Sequence, residues 1–283
     1  MAKIGILVCG NSGIDYEKVD YPFVVVHSQL IIDNKSYEDY VDITAEQFYQ
    51  AIEKNPNVPL STAQASTGEF IEAIEKLKND GYTDIIAVLI SSKLSGTYQN
   101  LMLAKDMVEG VNVYGIDSQS VSYGQMILVN KAIEMIKAGS TALEIVEELE
   151  EMKHRINVFV LVDTLKFLVK NGRLSAASGA IGSLLKIKPL LHINETGHLV
   201  PLEKIRTSSK ARKRLIEIAL GEIDKGVEGF FLAYTNNKEY VEEIKKELLE
   251  HNPELEVHIC PLTPVVGAHA GPGTCGVGFI RKK

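Results

Sequence analysis

Three stretches of this 283-residue chain carry side chains able to bind or transform an anion. The first is Ser61-Thr62-Ala63-Gln64-Ala65-Ser66-Thr67-Gly68-Glu69, where Ser66 and Glu69 stand at capping-box spacing before an amphipathic run. Ser66 is therefore expected to cap a helix. Thr62 lies four residues further out, so its hydroxyl is free either to meet a ligand or to satisfy its own loop. The second stretch, Ser91-Ser92-Lys93-Leu94-Ser95-Gly96-Thr97-Tyr98, follows an apolar run and opens a helical pattern. Ser95 is placed as the N-cap, and a helix start beyond the end of a strand offers free N–H groups and partial positive charge to a carboxylate. A serine that only caps leaves the same pattern. The third stretch is Gly267-Ala268-His269-Ala270-Gly271-Pro272-Gly273-Thr274-Cys275-Gly276. Its glycines allow close backbone approach to a ligand, and His269 suits either a carboxylate or a purely structural role.

Other chemistries fit less well. Gly271-x-Gly273-x-x-Gly276 matches the dinucleotide fingerprint formally, but that fingerprint opens a helix, and the seven residues left here read as a strand. A hydrolase or acyltransferase would use Ser95 with His269 and an acid such as Asp117, yet the G-x-S-x-G elbow is absent at its first glycine, where Lys93 stands. Cys9, Cys260 and Cys275 are odd in number and lack CxxC spacing, which argues for buried free thiols over a disulfide framework or zinc site. A basic group comprises Lys170, Arg173, Lys186, Lys188, Lys204 and Arg206. Most such lysines solvate a face. Arg173 and Arg206 are better placed for phosphate, which guanidinium grips through a forked geometry.

Elements that would position these groups divide the chain. In the first half, strand-like runs at Ile4 to Val8, Phe23 to Ile32, Ile85 to Ile90 and Val111 to Ile116 alternate with helical patterns. Those patterns cover Ala45 to Glu53, Thr67 to Asn79, Gly96 to Val108, Tyr123 to Ala138 and Thr141 to Arg155, whose acidic run reads as a solvated face. This order is that of an α/β fold, a parallel sheet flanked by helices. The second half offers six strands, at Val158 to Val162, Pro189 to Asn194, His198 to Arg206, Phe230 to Tyr234, Val257 to Leu262 and Gly276 to Ile280. The turn Asn194 to Gly197 predicts a hairpin, and helices are expected at Leu165 to Leu185, Ser209 to Asp224 and Lys238 to Glu250. The second half is thus an α+β unit with a six-stranded, mainly antiparallel sheet. Length favours two domains, 1–155 and 156–283.

A formal charge of -7 disfavours nucleic acid and anionic membrane as partners, and no apolar run approaches the ~20 residues of a transmembrane span. The opening MAKIGILVCG has an apolar stretch that breaks at Gly10, too short for a signal peptide's hydrophobic region and without a cleavage site, and is read as the start of a cytoplasmic chain on its first strand.

Six segments in order resemble the DegV family over nearly the whole chain. They are Ser61 to Ser66, Ser91 to Gln99, Phe167 to Leu174, Leu184 to Pro189, Lys204 to Thr207 and His269 to Gly273. The family includes the fatty-acid-binding subunits of bacterial fatty acid kinase. The resemblance implies one long-chain fatty acid between the two domains, its carboxylate held by Thr62, Ser95 and His269, with Ser61, Gly96, Gly271 and Gly273 in the supporting loops. It implies no catalysis by this chain and no cofactor besides the fatty acid. An ATP-dependent fatty acid kinase partner would phosphorylate the carboxylate, the acyl-phosphate passing to phospholipid synthesis; Arg173, Lys186 and Arg206 would serve the phosphate or the partner contact. A binding module for another amphiphile is the alternative. The chain departs from the family at Asn11, where an acid is usual, at Ala65, where proline is usual, and at Asn171, where glycine is usual.

Overall fold

Strands that bury both faces read as continuous apolar runs, and Ile4–Cys9 and Asp84–Leu89 are buried at every position. They form the middle of a four-stranded, wholly parallel sheet in a computed structural model that describes residues 3–55, 57–174 and 187–283. In chain order the first half contains β1 (Ile4–Cys9), β2 (Phe23–Val26), β3 (Gln29–Ile32), β4 (Lys35–Glu38), α1 (Ala45–Lys54), β5 (Leu60–Ala63) and α2 (Thr67–Asn79). It continues through β6 (Asp84–Leu89), α3 (Thr97–Lys105), β7 (Asn112–Asp117), α4 (Tyr123–Lys137) and α5 (Ala142–Met152). The second half holds β8 (Ile156–Leu161), α6 (Lys166–Lys170), β9 (Lys188–Ile193), β10 (Leu199–Ile205), α7 (Ser208–Lys225), β11 (Val227–Tyr234), α8 (Lys238–His251), β12 (Val257–Pro261), α9 (Pro264–Ala270) and β13 (Cys275–Arg281).

The parallel sheet runs β2-β1-β6-β7. The six-stranded sheet runs β10-β9-β8-β13-β11-β12, antiparallel throughout except for β11 and β12. The helix starts at α1, α2 and α5 are fixed by reciprocal capping boxes, Thr44 with Gln47, Ser66 with Glu69 and Thr141 with Glu144. The Asn194 to Gly197 turn joins β9 and β10 as expected, with Gly197 at φ +85 and the Asn194 side chain accepting from Thr196 and His198 N–H. Its tip is docked on the first half by the Ser91 hydroxyl, which donates to Gly197 O at 2.8 Å. The three cysteines are buried and free.

Four expectations are corrected. The run Phe23 to Ile32 is two strands, because the chain breaks at His27-Ser28 and β3 leaves for a third, antiparallel sheet, β4-β3-β5. His27 Nε2 lies 3.1 Å from Asp15 Oδ2, and Ser28 O accepts from Asp39 N–H at 3.0 Å, one place beyond the Gln29–Glu38 pair, so by Ser28 the backbone has already turned from β1 to the β4 side. The helix expected from Leu165 to Leu185 stops at Lys170, where Asn171-Gly172 turn the chain with Gly172 at φ +68; residues 175–186, with Lys186, lie outside the described residues. Ser95 is not the N-cap of α3. Gly96 holds that place, and Ser95 sits one residue earlier with its Oγ accepting from Thr97 N–H at 3.3 Å. His269 lies not in a loop but on α9, which packs against α1, β3 and β5 of the first half. One apolar cluster accordingly runs from Ile6 and Val88 through α4 to Val158, Phe231 and Ala233. Among the described residues no helix is long and apolar enough to cross a membrane.

Candidate functional site

Thr62 reaches its position because β5 pairs with β3, Thr62 opposite Leu30, so that alternate side chains point to α9. His269 is carried in by the last turn of α9, and the two meet directly: Thr62 Oγ1 and His269 Nε2 lie 2.8 Å apart, the direction of the bond set by the imidazole tautomer. α9 is short and holds glycine and β-branched residues, so packing rather than propensity keeps it helical. Its start is met by the buried Asp39 carboxylate, which accepts from Val265 N–H at 3.4 Å. Gly267 lies against the Tyr49 ring, whose hydroxyl donates to Leu262 O at 3.0 Å. Its end is Gly271 at φ +81, where a Cβ would also collide with the Phe167 ring.

Arg173 approaches from the turn after α6. Its Nε donates to Leu94 O at 3.3 Å and one terminal nitrogen to Asn171 O at 2.6 Å, while Asn171 Nδ2 donates to Ala268 O at 3.1 Å. The guanidinium thus braces the Ser91–Thr97 loop against α9. Its partners are carbonyls, and among the described residues no carboxylate pairs with it, so the local charge is positive. Burial, with Arg173 adding to it, pushes the His269 imidazole down to about 4, so it is neutral near pH 7. A position in the last turn of a helix favours the cation by less than that, ~0.3–1 kcal/mol on a surface. Among the described residues the buried His269 Nδ1 has no partner. Ser95 Oγ lies 2.7 Å from Thr97 Oγ1.

These groups rim one cavity. Thr62, Gln64, Ser95, Arg173 and His269 line it, and most of the remaining wall is apolar, including Leu94, Val160, Leu168, Phe231 and Leu262. It opens beyond the carboxyl ends of β1, β6 and β7, through Asn11, Ile90 and Val121, and against the β8, β13 and β11 face of the six-stranded sheet. That is the usual location for ligands of open α/β sheets. A mostly apolar cavity with a cation, two hydroxyls and an imidazole on its rim suits an amphiphilic anion.

The structure brings Thr62, Ser95, Arg173 and His269 to the cavity. Gly96 borders it, leaving room for the Gln64 side chain where a Cβ would stand, and Gly271 ends the helix of His269. It does not bring Ser61, Gly273 or Arg206 there. Ser61 is exposed on β5, where strand alternation turns it away from Thr62. Gly273 has φ +75 and donates to Asn236 Oδ1 in a neighbouring cleft. Arg206 is exposed just past β10. Sequence reasoning passed over Ser28, Gln64 and Ser122 as lining residues. Gln64 had a signal, its place in the motif of Thr62; Ser28 was hidden in an apolar run read as one strand.

The hydrolase arrangement is not assembled. Asp117 Oδ1 accepts from Ser92 and Gln119 N–H at 3.1 and 3.0 Å, so it does not orient His269, whose Nδ1 has no partner among the described residues. Ser95 hydrogen-bonds Thr97, and His269 hydrogen-bonds Thr62, leaving no nucleophile–base bond.

The family model described as "Uncharacterised protein, DegV family" matches residues 3–282. A DegV domain-containing protein of Listeria innocua is 36% identical over 261 residues, 91% of each chain. One of Halalkalibacterium halodurans is 33% identical over 285 residues, 100% of each. Among solved structures, DegV of Bacillus subtilis, described as a fatty acid binding protein, superposes with a TM-score of 0.88 at 31% identity, covering 100% of both chains. A fatty acid binding DegV family protein of Streptococcus agalactiae gives 0.90 at 28%, again covering both completely.

Proposed function

The chain belongs to the DegV family, and on that footing we propose that it is a cytoplasmic carrier that holds one long-chain fatty acid and catalyses nothing by itself. The observation that carries this reading is the meeting of Thr62, His269, Ser95 and the Arg173 guanidinium at one place on a mostly apolar cavity. The acyl tail supplies affinity: about fourteen methylenes at ~0.8 kcal/mol each give on the order of 11 kcal/mol before ordering costs. The head group supplies orientation. Thr62 and Ser95 turn hydroxyls to the carboxylate, and His269, neutral when the cavity is empty, takes up a proton as a negative charge arrives beside it.

The reading takes 1–155 and 156–283 as two units with the ligand between them. The carboxylate is then presented to an ATP-dependent fatty acid kinase partner, which converts it to an acyl-phosphate for phospholipid synthesis. Arg173 sits at the carboxylate and suits the phosphate formed there; exposed Arg206, and Lys186 with it, are assigned to the partner contact. Neighbours that are themselves described as fatty acid binding support the ligand.

Native mass spectrometry of protein purified from cells tests the reading. One co-purified fatty acid per chain is expected. Bare protein that also takes up no added palmitate would overturn it, and ester turnover abolished by Ser95→Ala would replace it with a hydrolase.

A further inference from the structure

The cavity wall formed by the six-stranded sheet changes relief from one row of residues to the next. β13 runs antiparallel between β8 and β11, which sets Val160, Gly276 and Ala233 side by side and Val158, Gly278 and Phe231 in the row two residues on. Residues two apart on a strand face the same way, so both rows face the cavity. In the first row a Cβ on Gly276 would meet nothing closer than Ala233 Cβ at 3.5 Å, an ordinary contact, and Gly276 itself lines the cavity, so a small side chain there would project into it. The second row is filled. The Phe231 ring lies where a Cβ on Gly278 would stand, and Phe231 is only 1% exposed. The start of α4 closes on the same row from the other side. Tyr123 stacks obliquely on Phe231 with ring centres 5.4 Å apart, and Val158 would touch a Cβ on Gly124 at 3.3 Å. The filled row is also the farther one from the polar group, because β13 begins at Cys275, just after the helix of His269, and runs away from it.

Resting on the fatty-acid reading above, we propose that Phe231, laid over Gly278 and backed by Tyr123, is the stop for the methyl end of the acyl chain. Gly276 is the gap that lets the chain reach it. Chain-length selection therefore lies in these two residues, remote from the head group. The two rows are about 6.8 Å apart, the length of roughly five C–C bonds in an extended chain. A side chain at Gly276 moves the stop toward the carboxylate by up to that length. Trimming Phe231 moves it away.

The test offers delipidated wild type, Gly276→Val and Phe231→Leu an equimolar mixture of saturated acids from lauric to arachidic, and reads the bound lengths by native mass spectrometry. Gly276→Val is expected to shift the preferred length shorter by roughly two to five carbons, and Phe231→Leu to shift it longer. Gly276→Ala, whose added methyl has room, shifts in the same direction as Gly276→Val by less and keeps the test available if a larger change unfolds the chain. Folded variants with the wild-type profile overturn the stop while leaving the carrier reading intact. Wild type that takes up none of the acids overturns the carrier reading itself, and the stop with it.

Discussion

Acid should destabilise the ligand-free protein through His269, and its surroundings set how much. Burial and Arg173 hold the imidazole down to about 4, against an ordinary 6.5 in the unfolded chain. Between those values the unfolded chain binds the proton more readily than the folded one. The contribution of His269 to stability is therefore intact above about 6.5 and is lost as pH falls toward 4. The gap corresponds to about 3 kcal/mol when fully expressed, of which about 2 kcal/mol is gone by about pH 4.5. His269→Gln keeps a group able to hydrogen-bond Thr62 but never becomes charged. Urea unfolding of delipidated wild type and His269→Gln at about pH 7 and about pH 4.5 isolates the effect, because other titrating groups act in both proteins. Wild type should lose about 2 kcal/mol more than the variant over this interval. Bound fatty acid should shrink that excess, since a carboxylate beside the ring favours the proton that burial opposes. Equal losses in the two proteins would refute the assignment of a buried, suppressed His269.

Two further outcomes follow from the same geometry. Thr62→Ala and Ser95→Ala should each weaken fatty-acid binding roughly tenfold to hundredfold, the range expected on losing a hydrogen bond of about 1.5–3 kcal/mol to a charged group; displacement of a fluorescent fatty acid measures it, and unchanged affinity would put the carboxylate elsewhere. Asp39, buried at the start of α9 and raised to about 7, stabilises the fold while protonated and loses that contribution as pH rises through about 7, so Asp39→Asn, which keeps the acceptor for Val265 N–H, should lower the melting temperature less than wild type does between about pH 6 and about pH 8.5.

How much of this was legible depends on where each element gets its stability. β1 and β6 announce themselves because strands buried on both faces must be apolar throughout, and α1, α2 and α5 because a capping box is a local exchange of hydrogen bonds. The six-stranded sheet was countable for the same reason, each strand having its own apolar run and the Asn194–Gly197 turn its own chemistry. α9 was not legible. Pro264-Val265-Val266-Gly267-Ala268-His269-Ala270 has the composition of a loop, and what makes it a helix is supplied from elsewhere: Asp39 at its start, Tyr49 over Gly267, and Asn171 bonded to Ala268 O near its end. The break at His27-Ser28 had a local sign, the polar residues His27, Ser28 and Gln29 between two apolar runs, but the turn of Ser28 toward Asp39 is tertiary.

The candidate site inherits this division. Thr62 and His269 are 207 residues apart and touch only because α9 folds back onto β5, which no local pattern encodes. Their pairing was reached through motif resemblance, because polar residues that gather about a ligand have to be of particular kinds and so leave a signature. The apolar part of the cavity leaves none: Val158, Val160 and Phe231 look like any strand interior. Only register distinguishes Gly276, lining the cavity, from Gly278, two residues on and covered by an aromatic ring. A sequence can therefore advertise what kind of head group is held while concealing how long a tail fits behind it, since the first depends on residue type and the second on which small residue faces which large one.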